Sequence, residues 1–150
     1  MQFNLSTLLP CVALVLLITV WFLFRRLWPA AVTLAVSLLA VSWTVGFVIA
    51  LEGTIHALVS LTPPVIMVVA FSDVVHLVSA YLTALEKGMD KDRAIRAAGV
   101  EVGKACFLTS ATTFVGFASF GLVPQPAMRV VAISLAFGVA VALLIALTLV

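Results

Sequence analysis

The chain has 150 residues, of which 65% are hydrophobic and 9% charged, with a net charge of +2 and a mean hydropathy of +1.33. A soluble globular domain carries about 25% charged residues, so the composition excludes a water-facing fold. It also excludes a basic nucleic-acid-binding surface, and no nucleic-acid partner is expected.

The charges are confined to short stretches. No Asp, Glu, Lys or Arg precedes Arg25, falls between Arg26 and Glu52 or between Lys104 and Arg129, or follows Arg129. Each apolar run reaches the roughly 20 residues an α-helix needs to cross about 30 Å of hydrocarbon. The fold class expected is an all-α membrane protein of five transmembrane helices. The runs are too long for barrel strands and lack their alternation.

In chain order, the first span is Leu5–Phe24. Its basic residues, Arg25 and Arg26, follow the apolar run instead of preceding it, which is not the order of a signal peptide. The second span, Pro29–Leu51, opens on a proline suited to a first helical turn. The third, Leu58–Leu85, carries Pro63 and Pro64 near its start, where the helix begins or bends. Asp90 can then cap a short amphipathic helix over Asp90–Gly103, with Ala94, Ile95, Ala98 and Val102 on one stripe. Arg93, Arg96 and Lys104 would then meet the headgroups, as in a short interfacial helix; the alternative is a solvated linker with ordinary positive-inside charge. The fourth span is Ala105–Leu122. Pro124 and Pro126 bracket a turn, and the fifth span is Met128–Val150. In that last span Ser134, Gly138 and Ala142 recur every four residues, the spacing of a close helix–helix seam.

Orientation follows the basic loops. Arg25 and Arg26 lie on the same side of a five-helix zigzag as Lys87, Lys91, Arg93, Arg96 and Lys104, so both connections are expected in the cytoplasm. Glu52, Thr54, His56, Pro124, Gln125 and Pro126 then lie outside, with the N-terminus outside and the C-terminus inside. Cys11 and Cys106 fall near opposite membrane surfaces, too far apart for a disulfide, and read as packing residues.

Asp73 is the most informative residue. It lies about 15 Å along the helix from Pro63 and about 18 Å from Leu85, in mid-membrane, where carboxylates mark ion pathways and proton relays. The bland alternative is a polar bond to a neighbouring helix. His76, three residues on, shares its helix face and can pass a proton with it. These two residues are the expected relay; as two candidate ligands on one helix they do not make a metal site, and no cofactor is expected. Thr109, Ser110, Thr112 and Thr113 crowd the fourth span; Thr109, Thr112 and Thr113 are candidates for a polar path beside Asp73, with structural packing against their own helix or a neighbour as the alternative for each. No nucleophile–base pair or metal triad can be assembled, so an enzyme is not expected.

Three segments, LTPPVIMVVAFSDVVHLVSAY, KDRAIRAAGVEVGKACFLTSATTFVGF and PQPAMRVVAISLAFGVAVALLIALTLV, together resemble the resistance–nodulation–division superfamily. The likeness is nearest to its MMPL-type exporters, over roughly residues 60–150. It implies helices two to six of a six-helix unit, truncated at both ends. The partners would then be the lipid bilayer, the missing extracytoplasmic domain, a second six-helix half, and a lipid or other hydrophobic substrate. It further implies proton-driven export across a bacterial inner membrane, with Asp73 as the relay carboxylate. Val74 stands where many members carry tyrosine, while Asp73 and His76 reproduce an Asp-x-x-His arrangement seen in others. The same five helices resemble the sterol-sensing domain of eukaryotic relatives, which implies a lipid-binding regulatory domain as the main alternative. A SecD/SecF-like export subunit is the third reading, set back by Ser72 where those proteins carry asparagine.

Overall fold

The computed structural model describes residues 5–25, 27–52 and 59–149. The expected loop residues Arg26, Thr54 and His56, together with Leu58 and Val150 at the ends of expected spans, lie outside the described residues. Within them the chain is helical: α1 (Leu5–Phe24), α2 (Leu27–Glu52), a 3-10 turn (Val59–Leu61), α3 (Thr62–Glu86), α4 (Lys91–Glu101), α5 (Gly103–Phe120) and α6 (Pro126–Leu149).

Four of these, α1, α2, α3 and α6, are long and apolar enough to cross a membrane. Five spans were expected. The expected fourth span is the 18-residue α5, whose Lys104 and clustered hydroxyls lower its apolar content. Other boundaries move for local reasons. Helix α2 starts two residues before Pro29, which still occupies the first turn, where an N–H has no helical acceptor. Helix α3 starts at Thr62 instead of Leu58, because Pro63 and Pro64 fit only the first turn of a helix. Pro126 likewise opens α6.

Helix α3 is the centre of the bundle. Ile66, Met67 and Ala70 pack with Ala40 and Val41 of α2 and with Leu135, Val139 and Ala142 of α6. One layer along, Val74, Leu77 and Val78 pack with Val36 and Ala146. The seam expected on α6 is formed: Ser134 and Ala142 are fully buried. A Cβ placed on Gly138 would meet Ile66 of α3 and Thr44 of α2, so the missing side chain is what lets three helices close. Helix α1 sits at the margin, with Leu14, Ile18, Trp21 and Phe22 exposed. Helix α5 packs mainly along α6 and touches α3 locally.

Phe24, Leu82, Val102 and Ala146 close one end of the bundle together, and Trp28 leans on Tyr81 there, with ring centroids 6.4 Å apart. That end therefore carries Arg25 and the Lys87–Lys104 connection on one side, as the zigzag requires. Helix α3 terminates in a Schellman motif. Met89 N–H donates to the Ala84 carbonyl at 3.2 Å and Gly88 N–H to Leu85 at 3.0 Å, with Gly88 at φ +82.

The connection that follows is helical over Lys91–Glu101, shorter than the expected Asp90–Gly103. Asp90 stands at the N-cap but makes no side-chain cap bond; its backbone carbonyl accepts from Ala94 N–H at 2.8 Å. Of the expected apolar stripe, Ala94 and Ala98 are buried while Ile95 is half-exposed. Small side chains suffice where α4 lies against α3, and Ile95 falls to the side of that contact. Val102 alone separates α4 from α5. Past α5, Gly121, Leu122 and Val123 each donate three residues back, winding the helix down into the turn before Pro126.

Candidate functional site

Asp73 lies near the middle of α3, about 17 Å from the Thr62 end and about 20 Å from Glu86 at the helical rise. It is 5% exposed. Its helix turns Val74 into the apolar layer between α2 and α6, where Val74 is fully buried. Val74 is thus a packing position in this chain. Asp73 itself points to the neighbouring α5.

There it meets Ser110, 4% exposed, whose hydroxyl donates to Asp73 Oδ2 at 3.1 Å. One turn earlier on α5, the buried Cys106 thiol lies 4.0 Å from the Asp73 backbone carbonyl. Gly103, Cys106, Ser110 and Thr113 follow one another at spacings of three and four, which makes them one stripe of α5. Gly103 sits beside Leu147 of α6, so the stripe's small residues let α5 close on both neighbours.

The other expected residues are placed differently. His76 is exposed, on the flank of α3, within electrostatic range of Asp73. Thr109 and Thr112 are exposed and Thr113 is half-buried. All three bond their own helix: Thr109 to the carbonyls of Ala105 and Cys106 at 3.1 and 3.0 Å, Thr112 to Leu108 and Thr109 at 3.0 and 2.8 Å, and Thr113 to Thr109 at 2.7 Å. The structure brings together Asp73, Ser110 and Cys106, and leaves His76 and the threonines beside that cluster. Ser110 lies in the hydroxyl run but outside the expected polar path, and Cys106 is a packing residue by sequence alone. Their spacing from Gly103 was the available signal. Among the described residues no three His, Cys, Asp or Glu side chains converge.

Buried hydroxyls also line α2, at Thr33, Ser37 and Thr44. Each donates to a carbonyl four residues back, at 2.7, 2.8 and 2.8 Å, so they are self-satisfied and make no link to Asp73. On the outer side of α2 lies an open, mostly apolar groove of about 450 Å³. Leu39, Trp43, Gly46 and Ala50 form its floor and rim. Phe47 stacks on Phe137 of α6 at 3.9 Å between ring centroids to close one wall.

A membrane protein of Methanocaldococcus jannaschii, so named provisionally, is 32% identical over 134 residues, which are 89% of this chain and 34% of that protein. The chain therefore spans about a third of the length of the curated relative it matches. No solved structure matches it. The family model of the sterol-sensing domain, described as that of SREBP cleavage-activation, matches residues 25–149, from the α1–α2 junction to the end of α6. With most of its length matched and with four helices fit to cross a bilayer, this chain is an integral membrane protein and belongs to the sterol-sensing domain family.

Proposed function

We propose that the chain is a membrane domain of a proton-driven exporter of lipids or other hydrophobic compounds, in which Asp73 carries the proton. The observation that supports this most is a carboxyl group buried at the midpoint of a central helix, bonded across to a second helix by one hydroxyl. Ionisable groups at that depth are costly and rare in chains that do not use them. His76, exposed beside Asp73, is the next proton stop, and the hydroxyl-rich outer side of α5 borders the path. Helix α5 is the fourth span in chain order and completes the five: its 18 residues cover about 27 Å. Its back-bonded hydroxyls hide their polarity from lipid. The end that carries Arg25 and Lys87–Lys104 faces the cytoplasm of a bacterial inner membrane by the positive-inside rule, and α4 rests on that surface. Transport requires the longer protein of which this region is a third in the archaeal relative.

A second reading, a lipid-binding regulatory domain, is favoured by the apolar groove on α2. The two separate in native membranes of the full-length protein. Export of a fluorescent lipid that stops on collapse of the proton gradient, and in Asp73→Asn, supports the exporter. Export unaffected by both treatments contradicts it. Lipid binding that is lost in Gly46→Trp and indifferent to the gradient supports the regulatory domain.

A further inference from the structure

We propose that Ser72, His76, Ser79 and Thr83 form a water-bearing ladder on α3 that joins Asp73 to the end of the bundle carrying Arg25 and Lys87, and to that end alone. This inference rests on the proton-carrying role proposed for Asp73 and gives that role its route.

Helix α3 is the centre of the bundle, yet one of its stripes is uncovered. Val65, Val68, Ser72, His76, Ser79 and Thr83 follow one another at spacings of three and four, which puts them on one face. Ser79 is half-buried and the other five are exposed. The stripe changes character at the level of Asp73. Toward Thr62 it presents two valines; from Ser72 toward Glu86 it presents an imidazole and three hydroxyls.

Hydrocarbon is a poor neighbour for that polar half. A hydroxyl facing lipid hides its hydrogen by bonding its own helix, and exposed hydroxyls on the other spans do this. Thr19 of α1, Ser42 of α2, Thr112 of α5 and Thr148 of α6 each donate to a carbonyl four residues back, at 2.8, 2.8, 3.0 and 2.8 Å. Ser72, Ser79 and Thr83 make no side-chain hydrogen bond among the described residues. Lipid offers them no partner, whereas water does. Successive rungs stand about 4.5–6 Å apart along the axis, too far for direct bonds and suited to bridging waters. The ladder covers about 17 Å and ends one turn short of Lys87.

His76 joins the buried carboxyl group to this file. It lies within electrostatic range of Asp73 and can take a proton and pass it on. The proton leaves the Asp73 carboxyl group for the imidazole, and the imidazolium releases one to the water beside Ser79. The hydroxyls hold the waters in place and stay neutral throughout. Val65 and Val68 matter equally, because a stripe polar along its whole length would be an open leak across the bilayer. The open side needs a wall, for which the full-length protein has ample chain: this region matches a third of the archaeal relative. His76 and the Cys106 thiol are the titratable neighbours of Asp73. The helices packed against α3 carry no titratable side chain between Trp28 and Leu51 or between Val130 and Thr148, and α1 carries Cys11 alone between Thr7 and Phe24.

The test is thiol accessibility in the full-length protein in native membranes, with single cysteines placed at Val65, Val68, Ser72, Ser79 or Thr83 in a background free of other cysteines. A charged methanethiosulfonate reagent attacks the thiolate, which forms in water and not in lipid. Applied at the Lys87 end, it should label Thr83→Cys and Ser79→Cys, reach Ser72→Cys more slowly, and leave Val65→Cys and Val68→Cys unlabelled. In proteoliposomes, Ser79→Ala combined with Thr83→Val should slow substrate-driven proton flux severalfold without loss of lipid binding. Thr19→Val, whose hydroxyl is already satisfied, should leave flux unchanged. Labelling of Val65→Cys as fast as Ser79→Cys overturns the one-sided route. Unreactive Ser79→Cys and Thr83→Cys overturn the ladder, and spare the proton-carrying role where flux still vanishes in Asp73→Asn. Equal flux in the wild type and Asp73→Asn overturns both.

Discussion

Gly138→Ala adds one methyl group at the point where α2, α3 and α6 come closest. The new Cβ would lie 2.5 Å from Ile66 Cδ1, 2.7 Å from Ile66 Cγ1 and 2.8 Å from Thr44 Oγ1. Carbon atoms in good contact sit about 3.5–4.0 Å apart, so each neighbour has to retreat by roughly 1 Å. Neither has room. Ile66 is fully buried between α2 and α6. Thr44 is fully buried and held by its 2.8 Å bond to Ala40. Overpacking of this kind costs about 1–3 kcal/mol, against a helix-propensity gain of up to about 1 kcal/mol for replacing glycine by alanine. With the full propensity gain set against it, the net expectation is a loss of up to about 2 kcal/mol. Thermal unfolding in detergent micelles, followed by the reactivity of the buried Cys106 thiol, measures it. Gly46→Ala is the control, because nothing lies within 4 Å of its added Cβ, and it should be neutral or stabilising. Ile66→Val removes the atom nearest the new methyl and should recover part of the loss when combined with Gly138→Ala, a coupling a double-mutant cycle reads directly. Equal unfolding temperatures for Gly138→Ala and Gly46→Ala would refute the close-packed seam.

Gly88→Ala places a side chain at φ +82 in the Schellman turn and should cost about 1 kcal/mol, seen as a lower unfolding temperature. Thr62→Val removes a buried hydroxyl that has no hydrogen-bond partner among the described residues; stability should be unchanged or rise by up to about 1 kcal/mol, and a clear loss would mean that the hydroxyl is satisfied. For orientation, a cysteine at Lys91 should react with an impermeant thiol reagent from the cytoplasmic side and one at Leu122 from the opposite side. Labelling of both from one side would overturn the zigzag.

The apolar runs made the helices legible, because a chain in lipid has to satisfy its backbone within each segment. The Ser134–Gly138–Ala142 spacing likewise announced a seam that the structure fills with Ile66 and Thr44. The resemblance held for the sterol-sensing family, whose match begins at residue 25 and so leaves α1 outside it. What the sequence did not show was which face of α5 meets Asp73. Four hydroxyls within five residues spread over roughly half the circumference of a helix, and only packing chooses among them. Gly103 and Cys106, small enough to let α5 close on its neighbours, select Ser110. The three threonines turn to their own carbonyls. Ile95 came out half-exposed for a related reason: the contact under α3 takes the two alanines of α4, and an expected stripe was wider than the surface available to it.

The role of Asp73 is tested most directly by proton flux. Full-length protein in proteoliposomes, with a pH-sensitive dye trapped inside and a lipid substrate supplied, reports proton movement coupled to transport. Each proton crossing delivers about 2.3 kcal/mol per 100 mV, and Asn in place of Asp73 keeps the shape of the side chain while carrying no exchangeable charge. The expected result is substrate-dependent proton flux in the wild type and none in Asp73→Asn, with lipid binding intact in both. Equal flux in the two proteins would contradict a proton-carrying Asp73.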